Sequence, residues 1–249
     1  MILYKYVVPD RIDVLKNGLI RFTQANALND PYDVNPNFSE FILGSIECAK
    51  ETLKGELPTE AEIQEYAQRE TMRFRERLYL DYLILSLAKR NNNLLMWAHY
   101  AACHRGLVFG FDENDRFFRS TALTSGLLPV EYSKERFVLP RAQDWKVNTD
   151  VRPAFLRKSS DWGYEEEMRA LARSSAATSV IKGPDGEAIY LFGFGKECVS
   201  EVIFGIQTEE AVKKKTTDLI NTHYPHVKLF QGKLNDKSFD LDIVPYQVQ

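Results

Sequence analysis

The strongest constraint on this chain is the order of its apolar runs. "ILYKYVV", "LIRFTQ", "LILSLAK", "GLVFGFD", "LLPVEYS", "ECVSEVIFG", "VKLFQGKL" and "FDLDIVPYQ" are short, rich in β-branched and aromatic residues, and bounded by turn formers, so each reads as a strand. Helical periodicity covers 38–54 and 58–80, and again the segment "TEEAVKKKTTDLINTHY", with Thr208 as its cap. Thr59 and Glu62 have the spacing of a capping box, and Gly18 reads as a helix stop. Strands and helices interleave without regular βαβ alternation. That order predicts an α+β fold with a mixed, largely antiparallel sheet and flanking helices. The expected organisation is a single domain over 1–249, with a helical insertion at about 38–80.

Bulk properties narrow the classes further. A chain of 249 residues, 44% apolar and 27% charged, can bury a substantial core. Its net charge of -3 gives no global pull toward nucleic acid, although 32 Lys and Arg leave room for a local basic groove. The Arg-rich face of 58–80 (Arg69, Arg73, Arg75, Arg77) is diluted by Glu60, Glu62, Glu65, Glu70 and Glu76 and reads as solvated surface. Cys48, Cys103 and Cys198 are odd in number and far apart, which predicts neither a disulfide framework nor a cysteine zinc cage and suits a reducing cytoplasm. No apolar run approaches the ~18 residues of a membrane span, and "MILYKYVVPD" does not read as a signal peptide. The expectation is a cytoplasmic protein with no membrane partner.

Three stretches hold residue types that can do chemistry. In "LNDPYD", Asn29, Asp30 and Asp33 suit a metal or a sugar hydroxyl, and equally a turn in which they satisfy backbone amides. Arg21, on the preceding strand, could clamp a phosphate or sit on a wet face. In "MWAHYAACHRG", His99 and His104 are five residues apart. The two-histidine zinc pattern needs four, so no metal site is expected. Trp97 and Tyr100 read as core fillers with His99 at their edge, or His99 and Tyr100 as walls for a flat heterocycle. In "DWGYEEEMRAL", a strand reading puts Glu165, Glu167 and Arg169 on one face. Two carboxylates and a guanidinium in a row are costly in a core unless paired, and useful in a cleft, where they stabilise positive charge at an anomeric carbon.

These stretches together, with "LYKY" at 3–6, "VEY" at 130–132 and "VIFG" at 202–205, resemble the bacterial domain-of-unknown-function 2971 family. The order of elements also resembles the ADP-ribosyltransferase fold, in which NAD lies between two small sheets. That likeness implies a split sheet and NAD as substrate. It places Tyr4 or Tyr6 and Arg21 at the early positions, and Glu167 as the late glutamate with Glu165 assisting. Arg21 or Lys5 would hold the pyrophosphate. Arg169, Asn29, Asp30, His99 and Tyr100 would line the NAD or acceptor site. The His-Gly-Thr and Ser-Thr-Ser signatures of better-known members are absent.

The implied activity is cleavage of the nicotinamide glycosidic bond, with transfer of ADP-ribose to a nucleic acid or a protein, in a toxin or phage-defence setting with a neutralising partner. On that reading Glu167→Gln abolishes turnover and leaves the fold intact. Two other classes compete: a magnesium-dependent nuclease using Asp30, Glu165 and Glu167, and a non-enzymatic binding module whose charged row is an internal salt-bridge network.

Overall fold

The computed structural model describes residues 1–52, 59–141 and 150–247. The strands are β1 (Ile2–Val7), β2 (Leu19–Gln24), β3 (Tyr82–Ala88), β4 (Leu107–Asp112), β5 (Leu128–Pro129), β6 (Glu131–Ser133), β7 (Arg157–Ser159), β8 (Glu167–Arg173), β9 (Ser179–Lys182), β10 (Ala188–Gly193), β11 (Val199–Phe204), β12 (Lys228–Leu234) and β13 (Leu241–Pro245). The helices are α1 (Asp13–Asn17), α2 (Ser39–Thr52), α3 (Glu60–Asp81), α4 (Leu94–Tyr100), α5 (Arg152–Leu156) and α6 (Glu210–His223). The α+β expectation, with a large and mostly antiparallel sheet, holds. Residues 142–149 lie outside the described residues, as do the expected helix ends at 53–54 and 58.

The chain forms two compact units. The first comprises Met1–Phe22, Ile84–Pro129 and Gly163–Gln249, the second Thr23–Leu83 and Val130–Trp162. Nearly all of the large sheet belongs to the first, with the ends of β2 and β3 continuing into the second. Its strand order is β13-β12-β11-β4-β1-β3-β2-β10-β9, and β8 leaves this path to pair with β3 and β5. β11 and β12 are parallel, which requires a crossover, and α6 supplies it. The apolar run of β4 needs no alternation because β4 lies between β1 and β11 with five of its six residues buried. Tyr6, Trp97, Val108 and Ile203 share its core.

The second unit holds α2, α3, α5 and the parallel pair β6–β7. Phe38, Phe41 and Leu139 form its core, with Phe74 packed against them. The capping box is formed: Thr59 Oγ1 accepts from Glu62 N, and Glu62 Oε2 accepts from Thr59 N at 2.7 Å. Arg69, Arg73, Arg75 and Arg77 are exposed, as expected.

Two local expectations are corrected. "LLPVEYS" is not one strand: β5 pairs with β8 and β6 with β7, because Pro129 has no N–H with which to continue the ladder. Thr208 does not cap α6. Its hydroxyl is drawn to the carbonyl of Gly106 at 2.8 Å, and the helix starts after Glu209 without a side-chain cap.

Candidate functional site

β1 sets out three long polar side chains in succession. Alternation sends Tyr4 and Tyr6 to one face and Lys5 to the other. Tyr4 donates to Glu201 at 3.3 Å and Tyr6 to the carbonyl of Arg90 at 2.8 Å, while Lys5 donates to the carbonyl of Ser86 on β3 at 2.9 Å. Burial pushes the Tyr4 phenol up to about 12, with Glu201 adding to the effect. Tyr6 also packs edge-on against Trp97, with centroids 5.4 Å apart. It is a core residue tethered at its tip.

The charged row of β8 differs from the sequence expectation in one respect. The strand starts at Glu167, whereas Glu165 closes a 3-10 turn over Ser160–Glu165. Glu166 between them has a φ of 44°. A left-handed residue reverses the local chain direction, so period-two alternation does not carry from 165 to 167. Glu166 itself is turned outward and pairs with Arg90 at 3.2 Å, while its carbonyl accepts from Lys89 N.

Glu165, Glu167 and Arg169 are nevertheless all buried, at 4%, 4% and 0% exposure. Arg169 grips Glu167 with both arms, Nε to Oε1 at 2.7 Å and Nη2 to Oε2 at 3.0 Å. A buried bidentate pair of this kind satisfies much of the charge of both partners. Glu167→Gln is therefore expected to cost stability as well as any activity. The Glu165 carboxylate accepts from the Tyr100 hydroxyl at 2.6 Å. Both carboxylates act on Lys5. Burial lowers its ammonium to about 8, the attraction of Glu167 and Glu165 opposes this, and the charges of Arg11 and Arg21 reinforce it. Arg21, on β2, keeps its Nε buried with no hydrogen-bond partner among the described residues.

A short aromatic bracket holds the turn before β8. Asn93 caps α4, accepting from the backbone N–H groups of Leu95 and Met96, and donates its amide to the carbonyl of Tyr164 at 2.8 Å. His99 Nδ1 lies 3.0 Å from the Tyr164 hydroxyl, and its exposed ring meets Tyr100 and Tyr164 edge-on. His104 is separate. It ends a run of three left-handed residues, Ala102, Cys103 and His104, and stacks on Trp97 at 6.2 Å. Burial lowers its basicity.

The structure thus brings together Lys5, Glu165, Glu167, Arg169 and Tyr100, with Arg21 acting on Lys5 and His99 exposed beside Tyr100 and Tyr164. Asn29 and Asp30 belong to the second unit. There Asn29 is exposed, and Asp30 Oδ1 accepts from Tyr32 N at 2.9 Å, which is the turn role. Sequence reasoning missed Tyr164 and Asn93. The Asn-Leu-Leu opening of α4 is a legible cap signal, but nothing local reveals that the same amide reaches Tyr164. Among the described residues no three His, Cys, Asp or Glu side chains gather in a group that could hold a metal ion, and no helix is long and apolar enough to cross a membrane.

Residues 96–170 match the model of a family described as protein of unknown function (DUF2971). The match supports the family resemblance across His99, Tyr100, Glu165, Glu167 and Arg169. No curated protein and no solved structure matches the chain, so the likeness to the ADP-ribosyltransferase fold has no structural neighbour behind it.

Proposed function

We propose that this chain, whose residues 96–170 match the DUF2971 model, is an NAD-consuming enzyme that cleaves the nicotinamide glycosidic bond. The observation behind this reading is the pair of buried carboxylates, Glu165 and Glu167, on opposite sides of a single left-handed residue and both acting on Lys5. Burying two carboxylates costs several kcal/mol each unless cations compensate (on the order of the effective desolvation penalty), and such clusters are commonest where charge develops during a reaction.

In the proposed reaction the ribosyl C–N bond breaks and its electron pair leaves with neutral nicotinamide. Positive charge appears on the ribosyl carbon, and the carboxylates stabilise it. The acceptor, a hydroxyl or amine of a nucleic acid, protein or water, then bonds to that carbon and gives up its proton. Arg169 holds both oxygens of Glu167 and Tyr100 orients Glu165, and the two carboxylates share the stabilisation. Arg21, with a donor that has no partner among the described residues, suits a phosphate of the substrate. Consumption of NAD or modification of a macromolecule would serve a toxin or phage-defence role, held in check by a neutralising partner.

The test is incubation with NAD, with and without nucleic acid, reading free nicotinamide by mass spectrometry. Release that persists in chelator and disappears in Glu165→Gln supports the reading. Absence of release from the folded protein under every acceptor condition overturns it. A second reading has one observation in its favour: the bidentate Glu167–Arg169 pair is what an internal network in a binding module would contain. That reading predicts loss of stability, and of nothing else, on substitution at 167.

A further inference from the structure

The second unit contains a cavity of about 230 Å3 between the loop Tyr32–Pro36, the segment 133–137 and the end of α5 with β7. It shares no residue with the cluster around Glu165, and its chemistry is independent of any reaction with NAD.

Four cationic side chains reach the cavity: Lys134, Arg136, Arg157 and Lys158. Their charges are unequally answered. Lys158 is buried with Asp33 at 3.5 Å and lies 4.9 Å from the Trp162 ring centroid. Arg157 pairs through Nη2 with Glu131 at 2.7 Å. Arg136 donates to neutral carbonyls, those of Asn35 and Pro36, at 2.6–3.0 Å. Among the described residues Glu135 is the one carboxylate in the lining, so positive charge remains in excess.

Two buried polar atoms in the same walls have no partner among the described residues, the donor Arg157 Nε and the acceptor Asn35 Oδ1. A buried polar group without a partner costs roughly 1–3 kcal/mol, and two of opposite kind in one cavity suit a ligand offering both an anionic oxygen and a hydroxyl. At the mouth, Tyr32 is 64% exposed, with the Arg136 guanidinium 5.7 Å from its ring centroid. A large aromatic left open beside a cationic cavity suits stacking by a flat ring. Volume sets the size: whole-ligand pockets run about 300–1,000 Å3, so a cavity of about 230 Å3 encloses a phosphoryl group and sugar, not a dinucleotide.

We infer that this cavity binds a phosphorylated ligand of nucleoside monophosphate size. Its phosphoryl oxygens accept from the Arg157 guanidinium and Lys134, a sugar hydroxyl meets the Asn35 side-chain amide, and its ring lies on Tyr32.

Calorimetric titration of the full chain with adenosine 5′-monophosphate, adenosine and inorganic phosphate tests this. The monophosphate binds with a Kd below about 1 mM, inorganic phosphate binds more weakly, and adenosine gives no signal in that range. Arg157→Gln weakens the monophosphate at least tenfold. Tyr32→Ala weakens it severalfold without changing inorganic phosphate. Lys134→Gln, which removes an exposed charge, keeps the fold and flattens the salt dependence. A 5′-phosphorylated trinucleotide, compared with its unphosphorylated form, separates a strand end from a free nucleotide. The inference falls if the monophosphate does not bind below about 1 mM, if adenosine binds equally well, or if binding is unchanged in both Arg157→Gln and Lys134→Gln.

Discussion

Tyr100 donates its hydroxyl to the carboxylate of Glu165, 65 residues further along the chain, at 2.6 Å. The bond joins the C-terminal end of α4 to the turn that launches β8. Each partner depends on local geometry: Tyr100 on the helix that Asn93 caps, Glu165 on the left-handed residue that follows it. Removing the hydroxyl leaves a buried carboxylate oxygen without that donor. Tyr100→Phe is therefore expected to cost about 1–3 kcal/mol, read as a lower urea midpoint at unchanged m-value. If Glu165 carries the proposed reaction, nicotinamide release falls with it. A Tyr100→Phe protein as stable and as active as the parent would remove Tyr100 from any role.

The Glu167–Arg169 pair predicts strong energetic coupling. Arg169→Met leaves a buried carboxylate without its guanidinium and is expected to cost about 3–5 kcal/mol. Glu167→Gln is destabilising as well. The double variant is expected to lose less than the sum of the two, by about 1 kcal/mol or more. Additive losses in chemical denaturation would show that each side chain is held mainly by other partners.

Lys5 predicts a pH dependence of definite sign. Its ammonium is lowered from 10.5 to about 8 in the folded chain, so the unfolded chain binds more protons between those values. The stability contributed by Lys5 therefore rises as pH climbs from about 8 toward 10.5 and is at its least below 8. Tyr4 acts in the opposite sense only from about pH 10 upward, since its folded value is raised to about 12. Competitive amine labelling read by mass spectrometry is expected to titrate Lys5 near pH 8, well below the exposed lysines. Lys5→Met flattens the rise in stability between pH 8 and 10. A labelling midpoint near 10 contradicts the assignment.

The left-handed run at 102–104 is held in place by close backbone contacts. A Cβ at Gly205 would overlap the carbonyl of His104, and one at Gly106 the carbonyl of Val7, so the turn is pressed against two strands. Ala102→Gly relieves a left-handed alanine and is expected to stabilise by about 1 kcal/mol. Gly205→Ala is expected to destabilise by about 1–3 kcal/mol or more, because backbone, not a flexible side chain, must move. Thermal unfolding of the two variants should shift in opposite directions.

Much of the framework was legible locally. Short β-branched runs became strands, the Thr59–Glu62 spacing became a capping box, and Gly18 became a left-handed helix stop with φ 62°. The partners of His99 and His104 were not legible locally: Tyr164 meets one ring and Trp97 the other. The candidate site was legible only as a set of residues. Alternation predicted a row of Glu165, Glu167 and Arg169, and a single left-handed residue at Glu166 broke it. Nothing in a Glu-Glu-Glu run says which one will turn.

The alphabet of this protein is set by its sequence: where strands and helices form, which caps close, and which charges must find partners once buried. Those outcomes follow from interactions within a few residues, and local spacing encodes them. Which partners the charges find was decided by tertiary structure. Arg169 found Glu167, Lys5 found a backbone carbonyl on β3, and Asn29 and Asp30 fell in a different unit from β8. Such pairings depend on which strands become neighbours, and strand neighbours are chosen by burial of the whole sheet rather than by any residue in it.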